Sequence, residues 1–150
     1  MHVGAVCTRD VVVAFPDDSL VEAARRMRHC HVGALVVIEE DDYAKVPVGM
    51  LTDRDIVVSV VAKDPEDLTR LQVGDVMTTD ILTAEEDEAV DHVIARMRTA
   101  GVRRIPVVDG DESLVGILAL DDLLDIVAEQ LDNLARLVTR ERKVEIRNRA

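Results

Sequence analysis

Two parts of this 150-residue sequence are copies of one another, and the duplication restricts the chain to an architecture built from two like units. At a shift of 70 residues, positions 6–38 fall on 76–108. Val6, Thr8, Asp10, Ala14 and Asp17 then meet Val76, Thr78, Asp80, Ala84 and Asp87. Arg26-Met27-Arg28 meets Arg96-Met97-Arg98, and Val32 and Val37 meet Val102 and Val107. Past residue 39 the shift falls to 67, because the first copy carries a loop three residues longer. Val48-Gly49, Leu51, Asp55 and Val60 then meet Val115-Gly116, Leu118, Asp122 and Val127. Two unrelated amphipathic segments would not hold register over such a length.

Each copy has the same punctuation. A short apolar run opens it, Val11–Val13 or Ile81–Leu82, and reads as a strand. Asp17-Asp18-Ser19 and Glu86-Asp87 follow and are the expected helix caps, since their side chains can accept from free amides at a helix start. Apolar residues then recur at helical spacing: Leu20, Ala23, Ala24, Met27 and Val90, Val93, Ile94, Met97. Two strands come next, Ala34–Ile38 and Val46–Leu51 in the first copy, Ile105–Val108 and Leu114–Leu118 in the second. A closing helix carries Ile56, Val57, Val60 and Val61 in copy one. In copy two it runs on through Leu120, Leu123, Leu124, Val127, Leu131, Leu134 and Val138. The order is β-α-β-β-α, twice. The expected division is repeat 1 over 1–62, a linker over 63–75 with Pro65 and Gly74 as breakers, repeat 2 over 76–130, and a helical extension over 131–150.

Composition removes several classes of function. With one Phe, one Tyr and no Trp, the chain lacks the set of rings that a base-stacking platform for single-stranded nucleic acid needs. A net charge of −12 repels both a phosphate backbone and an anionic membrane, so neither nucleic acid nor membrane is expected as a partner. The charge is uneven: Thr139 to Ala150 carries +3, which leaves −15 on the first 138 residues. No apolar run approaches the roughly 18–20 residues needed to span a bilayer. The N-terminal MHVGAVCTRD lacks the basic start and apolar stretch of a signal peptide, so a cytoplasmic protein is expected. Cys7 and Cys30 do not make a disulfide framework, and both are expected reduced and buried.

The repeat resembles the cystathionine-β-synthase (CBS) domain, and the pair resembles a Bateman module. The likeness rests on Asp75-Val76-Met77-Thr78, on Val102-Arg103-Arg104-Ile105-Pro106-Val107-Val108, and on Gly49-Met50-Leu51-Thr52-Asp53-Arg54-Asp55-Ile56-Val57 with its counterpart Gly116-Ile117-Leu118-Ala119-Leu120-Asp121-Asp122-Leu123-Leu124. It covers about residues 4 to 130. The resemblance implies an α/β fold of the α+β type: tandem β-α-β-β-α repeats packed about a pseudo-twofold axis, with an extended C-terminal helix. It also implies two clefts of the kind that hold AMP, ADP, ATP, NAD or S-adenosylmethionine.

By that resemblance, Asp55 and Asp122 stand at ribose positions. One carboxylate can accept from both hydroxyls of a ribose, and charge-assisted bonds are the stronger kind. Thr52 stands at a phosphate position, at a helix start that offers free amides. Ala119 replaces it in copy two. Arg103 and Arg104 stand where the family often places phosphate-facing cations, and Pro106 keeps the family pattern, whereas copy one has Gly33, Ala34 and Val36 there. One shared cleft, drawing Thr52 and Asp55 from one copy and the arginines from the other, stands beside two separate clefts. A purely structural role stands beside both: Thr52 as a helix cap, and Asp55 and Asp122 as first-turn acids.

No GxxxxGK[ST] or GxGxxG loop and no nucleophile–histidine set occurs, so no catalytic residues and no enzyme are expected. His29-Cys30-His31 has too few companions for a structural zinc, and no metal site is expected. Two functions remain. One is a regulatory module that binds an adenosyl ligand (AMP, ATP or NAD, with S-adenosylmethionine a further candidate) and signals to a regulated protein. The other is a dimeric scaffold without a ligand. The long apolar stripe of the last helix points to a homodimer in either case.

Overall fold

The computed structural model describes residues 1–149. It divides into two compact units, Met1–Leu118 and a second from Ala119 onward. The first unit holds α1 (Val3–Val6), β1 (Val13–Ala14), α2 (Leu20–Cys30), β2 (Ala34–Glu40) and β3 (Lys45–Thr52). Next come α3 (Asp53–Asp55), which continues as a π-helical turn over Ile56–Val61, a 3-10 turn at Pro65–Thr69, and α4 (Val73–Val76). The second repeat supplies β4 (Ala84–Glu85), α5 (Val90–Ala100), β5 (Arg104–Val108) and β6 (Leu114–Ala119). The second unit is α6 (Leu120–Arg149), one helix of 30 residues, unbroken through the expected repeat boundary at 130. Among the described residues no helix is long and apolar enough to cross a membrane.

Two three-stranded sheets form, ordered β1-β2-β3 and β4-β5-β6. The central strand of each pairs in parallel with the short first strand: Val13 faces Val36 in one, and Ala84 faces Val107 in the other. The pairing β2–β3 is antiparallel, with a bulge at Val37/Ile38. The central strands are apolar on both faces, and Leu35, Val36, Val37, Ile105 and Val107 are fully buried. The helices α2 and α5 cover them with Leu20, Ala23 and Met27, and with Val93 and Met97, at the spacing the sequence predicts.

The repeats exchange their leading segments. Helix α1 docks on repeat 2, where the Val3 and Gly4 amides donate to the Glu88 and Glu86 carbonyls at 2.9 and 2.8 Å. Helix α4 docks on repeat 1 in the same way: the Val73 and Gly74 amides donate to the Asp18 and Pro16 carbonyls, both at 2.8 Å. Val73 thereby enters the core that Leu20, Met27, Leu35 and Leu51 build. The chain just past each short helix crosses to the other repeat's last strand, so that Thr8 bridges Ile117 and Thr78 bridges Met50. Two glycines permit this. A Cβ on Gly49 would meet the Thr78 carbonyl oxygen at 2.9 Å, and one on Gly116 would meet the Thr8 carbonyl oxygen at 2.9 Å. These backbone contacts recur on both sides, as a pseudo-twofold pair requires, whereas the Arg9–Glu86 ion pair at 3.2 Å occurs on one side only.

Several local expectations change in the folded chain. The first strands lie at Val13–Ala14 and Ala84–Glu85, later than the Val11–Val13 and Ile81–Leu82 runs, because only these residues reach the central strand. Gly74, expected as a breaker, lies inside α4, where its missing side chain lets the helix approach the Pro16 carbonyl. Ser19 caps α2 by accepting from the Glu22 amide at 3.1 Å. Helix α5 starts instead from Ala89, whose methyl group offers no acceptor to cap it, and Glu88, rather than Glu86 or Asp87, turns back on the Glu85 amide as Asp18 does on Phe15. Cys7 is half-buried, but Cys30 is exposed and not buried as expected. It ends α2 beyond the stripe Leu20/Ala23/Met27, and His31 then takes the left-handed C-cap conformation (φ 55°) that carries the chain away. Gly101 does the same for α5 (φ 69°).

Candidate functional site

The exchange builds one cleft that neither repeat could build alone. Repeat 1 contributes Met50 and Thr52 from β3. Repeat 2 contributes Thr78, Asp80, Ile81 and Leu82 from the crossing segment, and Val102, Arg103 and Arg104 from the entry to β5. The cavity holds about 200 Å³. Its floor is the bridge between the repeats: the Met50 amide donates to the Thr78 carbonyl at 3.0 Å, and the Thr78 amide to the Met50 carbonyl at 2.9 Å. Met50, Ile81, Leu82 and Val102 give it apolar walls. Thr52 and Thr78 add hydroxyls, Asp80 a carboxylate, and the two arginines lie exposed at the rim.

Thr52 and Asp55 meet at the start of α3 in a reciprocal capping box. The Asp55 amide donates to Thr52 Oγ1 at 3.1 Å, and the Thr52 amide donates to Asp55 Oδ2 at 2.9 Å. The box orients both side chains without consuming them. The Thr52 hydroxyl keeps its proton to donate, and a carboxylate accepts about four hydrogen bonds across its two oxygens. Asp55 is half-buried and reaches the cleft through Thr52, not as one of its walls. Pro106 is buried in β5 and does not line the cleft. Asp122 lies in the first turn of α6, in the second unit. Of the six residues singled out in the sequence, Thr52, Arg103 and Arg104 therefore share this cleft. Thr78, Asp80, Ile81 and Leu82 were missed. Ile81 and Leu82 read as strand residues, and only the crossing of the chain turns them into walls.

Two larger hollows of the first unit have the wrong charge for an anion, while one of about 430 Å³ on α6 is lined by Arg136, Arg140 and Lys143. One of about 850 Å³ is ringed by Asp17, Glu39, Glu40, Asp41 and Asp42, with no cation among its lining residues. The other, about 650 Å³, carries Glu85, Asp87, Glu88 and Glu112, and its Arg96 is engaged. Arg96 Nη1 donates to Glu88 Oε1 at 2.8 Å and Arg96 Nη2 to the Thr83 carbonyl at 2.9 Å. Burial pushes the Glu88 carboxyl upward, but the Arg96 hydrogen bond and charge, the Glu85 amide and His92 outweigh it and hold the group below its ordinary range. The same device ties Arg26 to Asp18 and to the Val13 carbonyl in repeat 1, so it belongs to the fold of the repeat.

The CBS domain family matches this chain twice, over residues 3–62 and 73–129. The chain belongs to the CBS domain family. The matched spans begin at the two exchanged helices α1 and α4. An uncharacterised protein of Methanopyrus kandleri is 36% identical over 128 residues, which is 84% of this chain and 62% of that protein, so the chain spans less than two thirds of this relative. The CBS domain-containing protein YhcV of Bacillus subtilis is 35% identical over 116 residues, 77% of this chain and 78% of that protein. Among solved structures, the CBS domain pair of protein MJ0100, in complex with 5′-methylthioadenosine and S-adenosyl-L-methionine, superposes with a TM-score of 0.73 at 26% identity. That likeness covers 87% of this chain and 98% of that one.

Proposed function

We propose that this chain is a regulatory, non-catalytic module that binds an adenosyl ligand in the cleft between β3 of repeat 1 and β5 of repeat 2, and that ligand occupancy is passed to a partner protein. The observation that carries the proposal is the meeting of Thr52 with Arg103 and Arg104, from different repeats, around one apolar-walled cavity. In the binding mode proposed, the adenine lies among Met50, Ile81, Leu82 and Val102. Thr52 donates toward the phosphate or sugar, and Asp55 accepts from the ribose diol. At about 200 Å³ the cavity is smaller than the roughly 300–1,000 Å³ of ordinary ligand pockets. It therefore suits a nucleoside head with its charged tail outside, at the exposed arginines. AMP, ADP, ATP and NAD-type ligands fit the paired arginines best. S-adenosylmethionine, which the MJ0100 pair holds together with methylthioadenosine, is the cationic alternative, and Asp80 is the group that would favour it.

A second function, a dimeric scaffold without a ligand, has one observation in its favour. The capping box gives Thr52 and Asp55 a structural role of their own. Thermal melting and calorimetry with AMP, ADP, ATP, NAD, S-adenosylmethionine and methylthioadenosine separate the two. Binding at micromolar dissociation constants is expected, with guanine nucleotides weaker. Ligand at 100 times its dissociation constant adds about 2.7 kcal/mol to stability. The double variant Arg103→Ala/Arg104→Ala should weaken phosphate-bearing ligands more than methylthioadenosine. Absence of both heat and melting shift with every adenosyl compound would leave the scaffold as the function.

A further inference from the structure

Helix α6 sets four cations along one face. Arg136, Arg140, Lys143 and Arg147 follow one another at steps of four, three and four, which stacks them on one side of a helix. All four are exposed, on the side away from Leu131, Leu134 and Val138. The small side chains of Ala135 and Thr139 leave a hollow of about 430 Å³ beside the first three. Arg136 Nε donates to Asp132 Oδ2 at 2.8 Å, at the inner end of the strip. Among the described residues, Arg140, Lys143 and Arg147 pair with no carboxylate. The glutamates of this stretch, Glu141 and Glu145, lie on the other side of the helix, with Leu134 and Val138. Like charges four residues apart oppose the helix that carries them. The helix dipole favours cations only in the last turn, so it accounts for Arg147 but not for Arg136 or Arg140. In a chain of 30 acidic and 18 basic residues, a strip of cations with no acid between them is a cost that the helix itself does not recover.

We propose that this strip is a docking surface for a short acidic helix of the regulated partner protein. The proposal rests on the reading of the chain as a module that signals to a partner, and it requires no ligand in the cleft. Charge complementarity fixes the chemistry of the occupant, and the length of the strip fixes its size. The strip runs about 16 Å, or three turns. Just before it, the same face turns acidic with Asp125, Glu129 and Asp132. An anionic surface longer than the strip, such as a nucleic-acid backbone or a lipid bilayer, would meet those carboxylates, and the net charge of −12 opposes it further. An acidic stretch of about three turns, with carboxylates at the same steps of three and four, matches the cations and stops short of the acids. Each exposed charge pair contributes little, so the contact is reversible and sensitive to salt, as a signalling contact must be.

The probe is a fluorescent helical peptide with Glu at steps of four, three and four, beside a peptide of the same composition whose glutamates are spread around the helix. Anisotropy titrations use the full chain at about 0.1 M ionic strength, where the screening length is near 10 Å. The patterned peptide should bind at tens of micromolar, at least tenfold tighter than the spread one. Arg140→Glu/Lys143→Glu should abolish that binding and instead take up a peptide with Lys in place of Glu. The neutral Arg140→Gln/Lys143→Gln should weaken binding about tenfold, and circular dichroism checks the helicity of both variants. Adenosyl binding, read by calorimetry on the same proteins, should be unchanged, so a failure of the cleft and a failure of the strip are told apart. Equal binding of the two peptides, variants that bind like the wild type, or a complex unmoved by about 1 M salt would each overturn the proposal. So would tighter binding of duplex DNA or phosphatidylserine vesicles than of the patterned peptide. Sedimentation showing that the charge reversal dissociates the chain from its own copies would assign the strip to a second copy and overturn it as well.

Discussion

Gly49→Ala tests the exchange of segments on which the candidate site depends. A Cβ built there lies 2.7 Å from Met77 Sδ and 2.9 Å from the Thr78 carbonyl oxygen. The Met77 side chain can rotate away, but the Thr78 oxygen is main chain and is held by the Met50 amide at 3.0 Å. Restoring an ordinary contact would push the crossing segment back by about 0.5 Å and stretch both bridge hydrogen bonds to the edge of their range. Two weakened backbone bonds cost about 0.5–1.5 kcal/mol each. Overpacking against Met77 adds about 1–3 kcal/mol. The lower entropy of an unfolded chain with Ala in place of Gly returns only about 0.4–1 kcal/mol. The expected net loss is about 2–4 kcal/mol, a fall in melting temperature of roughly 5–15 °C for a chain of this size. Because Met50 and Thr78 form the cleft floor, adenosyl affinity should fall with stability. Gly110→Ala is the control: nothing lies within 4 Å of its Cβ, and it should change stability by less than about 0.5 kcal/mol. Gly49→Ala/Met77→Ala should recover only the side-chain part. Scanning calorimetry on these variants suffices, and a Gly49→Ala protein that melts within a degree of the wild type would refute the close crossing.

Asp55→Ala should lose the capping box, at about 1 kcal/mol, and weaken adenosyl binding more than tenfold, since truncating a charged hydrogen bond costs about 1.5–3 kcal/mol; isothermal titration of Asp55→Ala, and of Asp122→Ala for a second cleft, reads the two positions separately. Glu88→Gln addresses acid stability. The Glu88 carboxyl is held below its ordinary 4.5, so the stability it contributes is present above that pH and drains away as pH falls through the lower folded value. Melting curves between about pH 7 and pH 3 should show Glu88→Gln less stable at neutral pH but losing less on acidification than the wild type; parallel curves would contradict the Arg96 pairing.

The duplication, the helices and the central strands were legible in the sequence because each is decided within a few residues. Helical spacing over Leu20–Met27 and Val90–Met97, unbroken apolar runs at β2 and β5, and the Thr52–Asp55 box need no distant partner to be recognised. The apolar stripe of α6 is equally local. What only the tertiary structure decided is which repeat each leading segment serves. Val3 and Val73 carry the same residue at the same place in the repeat, yet both dock across the molecule. Gly49 and Gly116 mark where the backbones cross, though neither looks different in sequence from a turn glycine. That crossing converts Ile81 and Leu82 from expected strand residues into cleft walls, and brings Thr52 beside Arg103 and Arg104. The end of α2 before its next turn likewise leaves Cys30 in solvent. Periodicity and capping are short-range preferences. A shared cleft is a contact between residues about 50 positions apart in sequence, and its closure entropy is recovered only when both repeats have folded against each other.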